Sequence, residues 1–207
     1  MNQIVSHMHI ENQIQYNRAL TQTGLAAFRL GKFTEAHDLL VDICNNAKNK
    51  ELLAQGYSRN VDKSVEYELE ERKREIPYHM QINLQVLDYS YLICSMILEI
   101  PNYAQHQFTM NKMLISRSFK RLIEFYDQRA FHLAAENYRD NLVLAARALN
   151  KSNWQEAVNH IASIGVLMRH TASEQTQFLD SLTVAFKEAS LKAFLFRAAR
   201  MYESFSI

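Results

Sequence analysis

Three sets of side chains in this sequence carry chemistry worth weighing: eight histidines, two cysteines and a run of cations. The histidines are His7, His9, His37, His79, His106, His132, His160 and His170. Metal binding on a helix needs ligands three or four residues apart on one face, and none of these is expected to meet a second good ligand at that step. His7 and His9 are the nearest pair, but at two residues they face different sides of a helix and are read as solvated. Glu35 and Asp38 lie three apart, which on a surface helix is read as solvation and not as catalysis. The sequence holds no glycine-rich phosphate loop, HExxH motif, EF-hand or GxSxG elbow. No catalytic, cofactor-binding or metal-binding residue is therefore assigned. No cofactor or small-molecule substrate is expected, and the chain is read as a non-enzyme. Cys44 and Cys94 each sit in an apolar run without a CxxC or a paired histidine, the setting of reduced, structural thiols in the cytoplasm. Lys112, Arg117, Lys120 and Arg121 fall on one side of a predicted helix, where clustered charge suits either phosphate contact or a solvated face.

The elements that must position these residues follow from composition and periodicity. The chain has 207 residues, 48% of them apolar, with four glycines, two prolines and a formal charge of +1. So few sheet-punctuating residues imply an all-helical fold, and near-neutrality argues against a globally basic nucleic-acid binder. Residues 1–10 lack both a cationic start and an apolar run, so no signal peptide is expected.

The longest apolar stretch, Ile76 to Pro101, is fenced by the two prolines. It is predicted to be one central buried helix, with Pro77 in its first turn and Pro101 just past its end. His79, Gln81, Asn83, Gln85, Asp88 and Glu99 interrupt it too often for a membrane span. A helix from about Glu11 to Gly31, with Ile14, Leu20, Ala27 and Leu30 in its pattern, pairs with one from about Thr34 carrying Ala36, Leu39, Leu40 and Ile43. Gly24, Ala27, Phe28, Gly31, Phe33, Ala36 and Leu40 follow the small-and-large order of tetratricopeptide hairpins. The order returns 121 residues later, where Ala145, Ala148, Leu149, Trp154, Ala157 and Ile161 stand opposite Gly24, Ala27, Phe28, Phe33, Ala36 and Leu40. Hairpins of this kind cannot bury their faces alone, and two in one chain predict a helical solenoid with irregular repeats.

Lys48 to Tyr57 is predicted as a short helix and Asn60 to Glu75 as a solvated helix or a mobile loop. A helix from about Tyr103 to Phe125 points Phe108, Leu114, Ile115, Phe119, Leu122 and Ile123 inward. The last, from Glu174 to about Tyr202, buries Phe178, Leu182, Ala185, Phe186, Ala189, Ala193 and Phe196, with Lys187, Lys192, Arg197 and Arg200 on its flanks. Its apolar SFSI ending leads to the expectation of a further C-terminal domain.

The blocks YNRALTQTGLAAFRLGKFTEAHDLLVDI, KELLAQGY and ERKREIPYHMQINLQVLDYSYLICSMILEIP, then MLISRSFKRLIEFY, RDNLVLAARALNKSNWQEAVNHI and EASLKAFLFRAARMYESFSI, resemble the c subunit of eukaryotic translation initiation factor three. The resemblance runs from about Ser6 onward and is weakest after Phe125. It implies the helical part of a PCI domain, a right-handed superhelical stack of tetratricopeptide-like hairpins: an N-terminal unit over 1–75, and a PCI helical part over 76–207 that runs up to a winged helix. The family's long N-terminal region and its winged helix are not matched. The resemblance further implies a cytoplasmic, non-catalytic scaffold that binds other PCI and MPN subunits of that factor, notably the a and e subunits, and the small ribosomal subunit. Lys112, Arg117, Lys120 and Arg121 are then candidates for ribosomal RNA contact. A PCI subunit of the proteasome lid or the COP9 signalosome is the alternative.

Overall fold

The structure, a computed structural model, describes residues 5, 7–46, 48–56, 65–106, 114–129, 135–164, 172–199 and 201–204. Lys112, Phe108, His132, His170 and Arg200, and most of the SFSI ending, lie outside the described residues. Among those described, every regular element is helical: α1 (Ile10–Arg29), α2 (Phe33–Cys44), α3 (Asn49–Leu52), α4 (Val65–Lys73), a 3-10 turn (Tyr78–Met80), α5 (Leu84–His106), α6 (Arg117–Asp127), α7 (Tyr138–Asn150), α8 (Trp154–Ala162) and α9 (Ala172–Ala198).

The central helix differs from expectation at both ends. It starts at Leu84, because Asn83 Oδ1 accepts from the N–H groups of Gln85 at 2.9 Å and Val86 at 3.4 Å and so caps it. Pro77 belongs to the preceding turn, and Pro101 lies inside the helix, which runs on to His106. An interior proline costs a backbone hydrogen bond, about 3 kcal/mol on an exposed helix. Here Ile100 and Ala104 are buried on either side of it, so packing offsets the loss. From Tyr89 to Met96 every residue is buried, whichever way it points. A helix apolar all round must have neighbours all round, and α1, α2, α6, α7 and α9 supply them.

The two hairpins are α1–α2 and α7–α8, and their turns are the same device. After α1 the N–H of Gly31 donates to Phe28 and that of Lys32 to Ala27, both at 3.0 Å; after α7 Ser152 donates to Leu149 and Asn153 to Ala148, both at 2.9 Å. This pair of bonds is a Schellman stop, which needs a left-handed residue. Gly31 takes φ 76° and Ser152 φ 64° at the same offset of 121 residues seen in the sequence. The small positions let the helices close: a Cβ on Gly24 would sit 2.6 Å from Leu40 Cδ2, and Ala36, Ala145 and Ala157 have no exposed surface.

Other expectations need correcting. Leu30 caps α1 and points outward, 73% exposed. Asn17 and Thr21, not flagged from sequence, are buried on α1, where Asn17 donates to the Leu52 carbonyl at 3.2 Å. The helix predicted over Tyr103–Phe125 is not continuous: α5 ends at His106, and residues 114–116 are non-helical before α6. Ile115, expected inside, is exposed. Phe196 is also exposed, because Arg197 takes the contact with the end of α7, donating to the carbonyl of Asn150 and to its Oδ1. In the charged segment a helix runs over Val65–Lys73, with Glu66, Glu70, Arg72 and Lys73 exposed, while residues 60–64 lie outside the described residues.

The two left-handed turns give opposed expectations. Gly31→Ala places a Cβ in an unfavourable φ and 2.8 Å from Ser181 Cβ, and should cost about 1–3 kcal/mol. Ser152→Gly relieves the same backbone strain and should be neutral or stabilising by up to about 1 kcal/mol. Urea unfolding of the two variants checks the pair.

Candidate functional site

The predicted cations sit on α6, so the site is built from whatever starts that helix. Ser116 is its N-cap, with its hydroxyl accepting from the Phe119 N–H at 3.3 Å. A turn this deep must have its N–H groups met. Glu99 of α5 meets two of them: Oε2 accepts from Ile115 at 3.0 Å and from Ser116 at 3.2 Å, while Oε1 accepts from the Asn102 amide at 3.4 Å. Glu99 is fully buried. Burial holds its carboxyl above the usual range, and the backbone N–H groups of Ser116 and Ile115, Asn102 and His37 pull it only partly back.

Tyr91 completes the lock. Its hydroxyl lies 3.1 Å from Ser116 Oγ and donates to Asn45 Oδ1 at 3.3 Å, and Ser118 donates to the same Asn45 oxygen at 2.8 Å. The ring of His37 stacks on Tyr91 with 5.3 Å between centroids. One polar cluster thus joins α2, α5 and α6 and fixes the direction in which α6 presents its side chains.

Phe119 and Tyr126 are buried on the inner face of α6, and Arg117, Lys120 and Arg121 are exposed on the outer. Lys120 is tied to Glu124 at 3.5 Å, an exposed pair of small worth. Farther along, Arg129 lies over the rings of Phe125 at 4.6 Å and Tyr126 at 4.3 Å, with Phe125 56% exposed. The helix therefore brings together three of the four predicted cations, and the fourth, Lys112, is outside the described residues.

The remaining candidates stay apart. His7 and His9 are exposed before α1, and Glu35 and Asp38 are exposed on α2. His160 does meet a carboxylate one turn away, Glu156 at 3.8 Å, which the reading of the histidines overlooked. Among the described residues no three His, Cys, Asp or Glu gather as a metal site. Cys44 and Cys94 are free thiols, both pushed up in pKa by burial, Cys44 also by the charge of Asp88. Sequence reasoning missed the outer side of α9, where Val184, Leu191, Phe194 and Leu195 are 43–58% exposed. The signal was present as apolar residues flanking the inward stripe on both sides.

Residues 1–110 match the family described as eukaryotic translation initiation factor 3 subunit 8 N-terminus. Over its whole length the chain is similar to proteins named as the C subunit of eukaryotic translation initiation factor 3. It is 37% identical to that of Phaeosphaeria nodorum, 38% to that of Pyricularia oryzae and 37% to that of Neurospora crassa. Each alignment covers 100% of this chain and 24% of the relative, so the chain spans about a quarter of the length of these relatives.

The Glu99 latch sets a pH dependence. With its native pKa raised, the folded state keeps the proton to a higher pH than the unfolded chain does, so stability falls as pH rises from the usual carboxylate range through the raised value. Glu99→Gln keeps a carbonyl oxygen for the two backbone donors and should flatten that segment of the curve. Glu99→Ala leaves both donors without an acceptor and should cost about 2–4 kcal/mol at every pH. Chemical denaturation of the three proteins across pH 4–8 tests both statements.

Proposed function

The chain belongs to the family of the C subunit of eukaryotic translation initiation factor 3, and from that premise we propose that it is a non-catalytic scaffold segment of the factor, working in the cytoplasm. Its helical hairpins form a right-handed, tetratricopeptide-like superhelix, the helical part of a PCI domain, with an N-terminal unit over 1–75 and the PCI helices over 76–207. It holds other PCI and MPN subunits, notably the a and e subunits, and the small ribosomal subunit in fixed relation. The expected rival, a subunit of the proteasome lid or the COP9 signalosome, gives way to the family membership.

The observation that carries this reading is the repetition of one hairpin: the same stop, a left-handed residue at the same place and buried small residues at one offset, both packed on α5. Units of this kind stack into extended surfaces suited to protein partners. The exposed apolar side chains of α9 supply further contact area of that sort. No helix among the described residues is long and apolar enough to cross a membrane.

Within this reading Arg117, Lys120 and Arg121 touch ribosomal RNA, together with Lys112. Arg117 and Arg121 carry most of the contact, since Lys120 already has Glu124 beside it. Gradient sedimentation of the tagged full-length protein from its own cells should show it with the small ribosomal subunit and other factor subunits. Migration in a ribosome-free complex or alone would sink the scaffold reading. Arg117→Glu with Arg121→Glu should weaken ribosome association and lower its logarithmic salt slope by about 1–2. An unchanged slope would remove the RNA contact and leave the scaffold in place.

A further inference from the structure

Residues 76–82 leave the core, turn once and return, held at almost every step. At one end the Ile76 N–H donates to the Ala54 carbonyl at 2.9 Å; at the other Ile82 is buried among the core side chains. Between them the N–H of Met80 donates to Pro77 at 2.9 Å and that of Gln81 to Tyr78 at 3.1 Å. Three side chains brace the turn. Arg18 of α1 donates to the Met80 carbonyl at 2.7 Å, Gln55 to Ile82 at 3.2 Å, and Gln81 back to Ile76 at 3.1 Å.

This braced turn holds an apolar tip out in water. Tyr78 is 90% exposed, more than any other large apolar side chain described, and Met80 is 54% exposed. Neither contributes to the core, so the bracing has no internal use for them. Six hydrogen bonds fix the backbone that presents the two side chains.

We propose that the Tyr78–Met80 turn is a preorganised anchor that inserts into an apolar slot on another protein subunit of the same initiation factor. The inference rests on the scaffold reading above, and gives one of the scaffold's contacts a place on the chain. Three properties favour a protein slot. The turn is already ordered, so docking it loses little conformational freedom. A phenol ring with a thioether beside it is the chemistry of an interface hot spot with an adaptable neighbour. Residues 76–83 contain no lysine or arginine, and the Arg18 guanidinium donates to the Met80 carbonyl, so His79 is the one basic side chain on an otherwise apolar tip.

The test uses the full-length chain in the assembled factor, with a benzophenone amino acid in place of Tyr78. Irradiation should link it to one protein subunit of the factor. Tyr78→Ala should reduce recovery of that subunit with the purified chain at least about tenfold, with the thermal midpoint unchanged, while Tyr78→Phe retains it. Adducts with ribosomal RNA, with a second copy of this chain or with nothing would overturn the anchor, as would full recovery with Tyr78→Ala. In each of those cases the wild-type chain still brings down factor subunits and the scaffold reading stands. If the wild type brings down none, both fall together.

Discussion

Everything in this molecule is arranged around a helix that has no free side. From Tyr89 to Met96 α5 is buried all round, so it is not an amphipathic wall but the helix on which the others pack. The hairpin α1–α2 meets it through Phe28, whose ring lies 6.4 Å from Tyr89 and 5.0 Å from Phe178 of α9. The hairpin α7–α8 meets it through Asp88, which accepts from Tyr138 at 2.8 Å and pairs with Arg139 at 2.6 Å. The pair is half in water, so its worth is geometric more than energetic.

Burying a helix completely creates a polar problem at its ends, and Glu99 is the answer at one of them. A carboxylate without exposed surface is expensive unless its lone pairs are used. Here both oxygens are used, two bonds going to the backbone that starts α6. The direction of α6, and hence of its exposed cations, therefore depends on a residue of another helix. Tyr91, Asn45 and Ser118 continue the same polar joint into α2.

The all-helical class and the two hairpins were legible in the sequence because they rest on periodicity and on small residues at fixed spacing. Gly24, Ala36, Ala145 and Ala157 announce close helix approach without any knowledge of the partner. Helix ends were less legible. Pro101 reads as a stop by local rules, but packing of Ile100 and Ala104 carries the helix past it. The break before α6 was hidden for the reverse reason: residues 114–116 have a helical pattern, and what ends it is a long-range bond to Glu99, 16 and 17 residues away. Of the candidate site, the cations of α6 were visible as a charge cluster, whereas Glu99, Asn45 and the exposed turn at Tyr78 acquire meaning only from neighbours distant in sequence.

Shifted ionisation is usually a pointer to catalysis, and this protein has several shifted groups. Glu99 is raised by burial, Tyr138 is pushed up to about 12 by burial and by Asp88, and Asp140 is held low by the Tyr126 hydroxyl and two backbone N–H groups against the contrary pull of burial. In each case the partner that perturbs the group belongs to the fold itself: the start of α6 for Glu99, α5 for Tyr138, the end of α6 and the cap of α7 for Asp140. Each of these three groups joins one helix to another. The shifts therefore mark joints between helices.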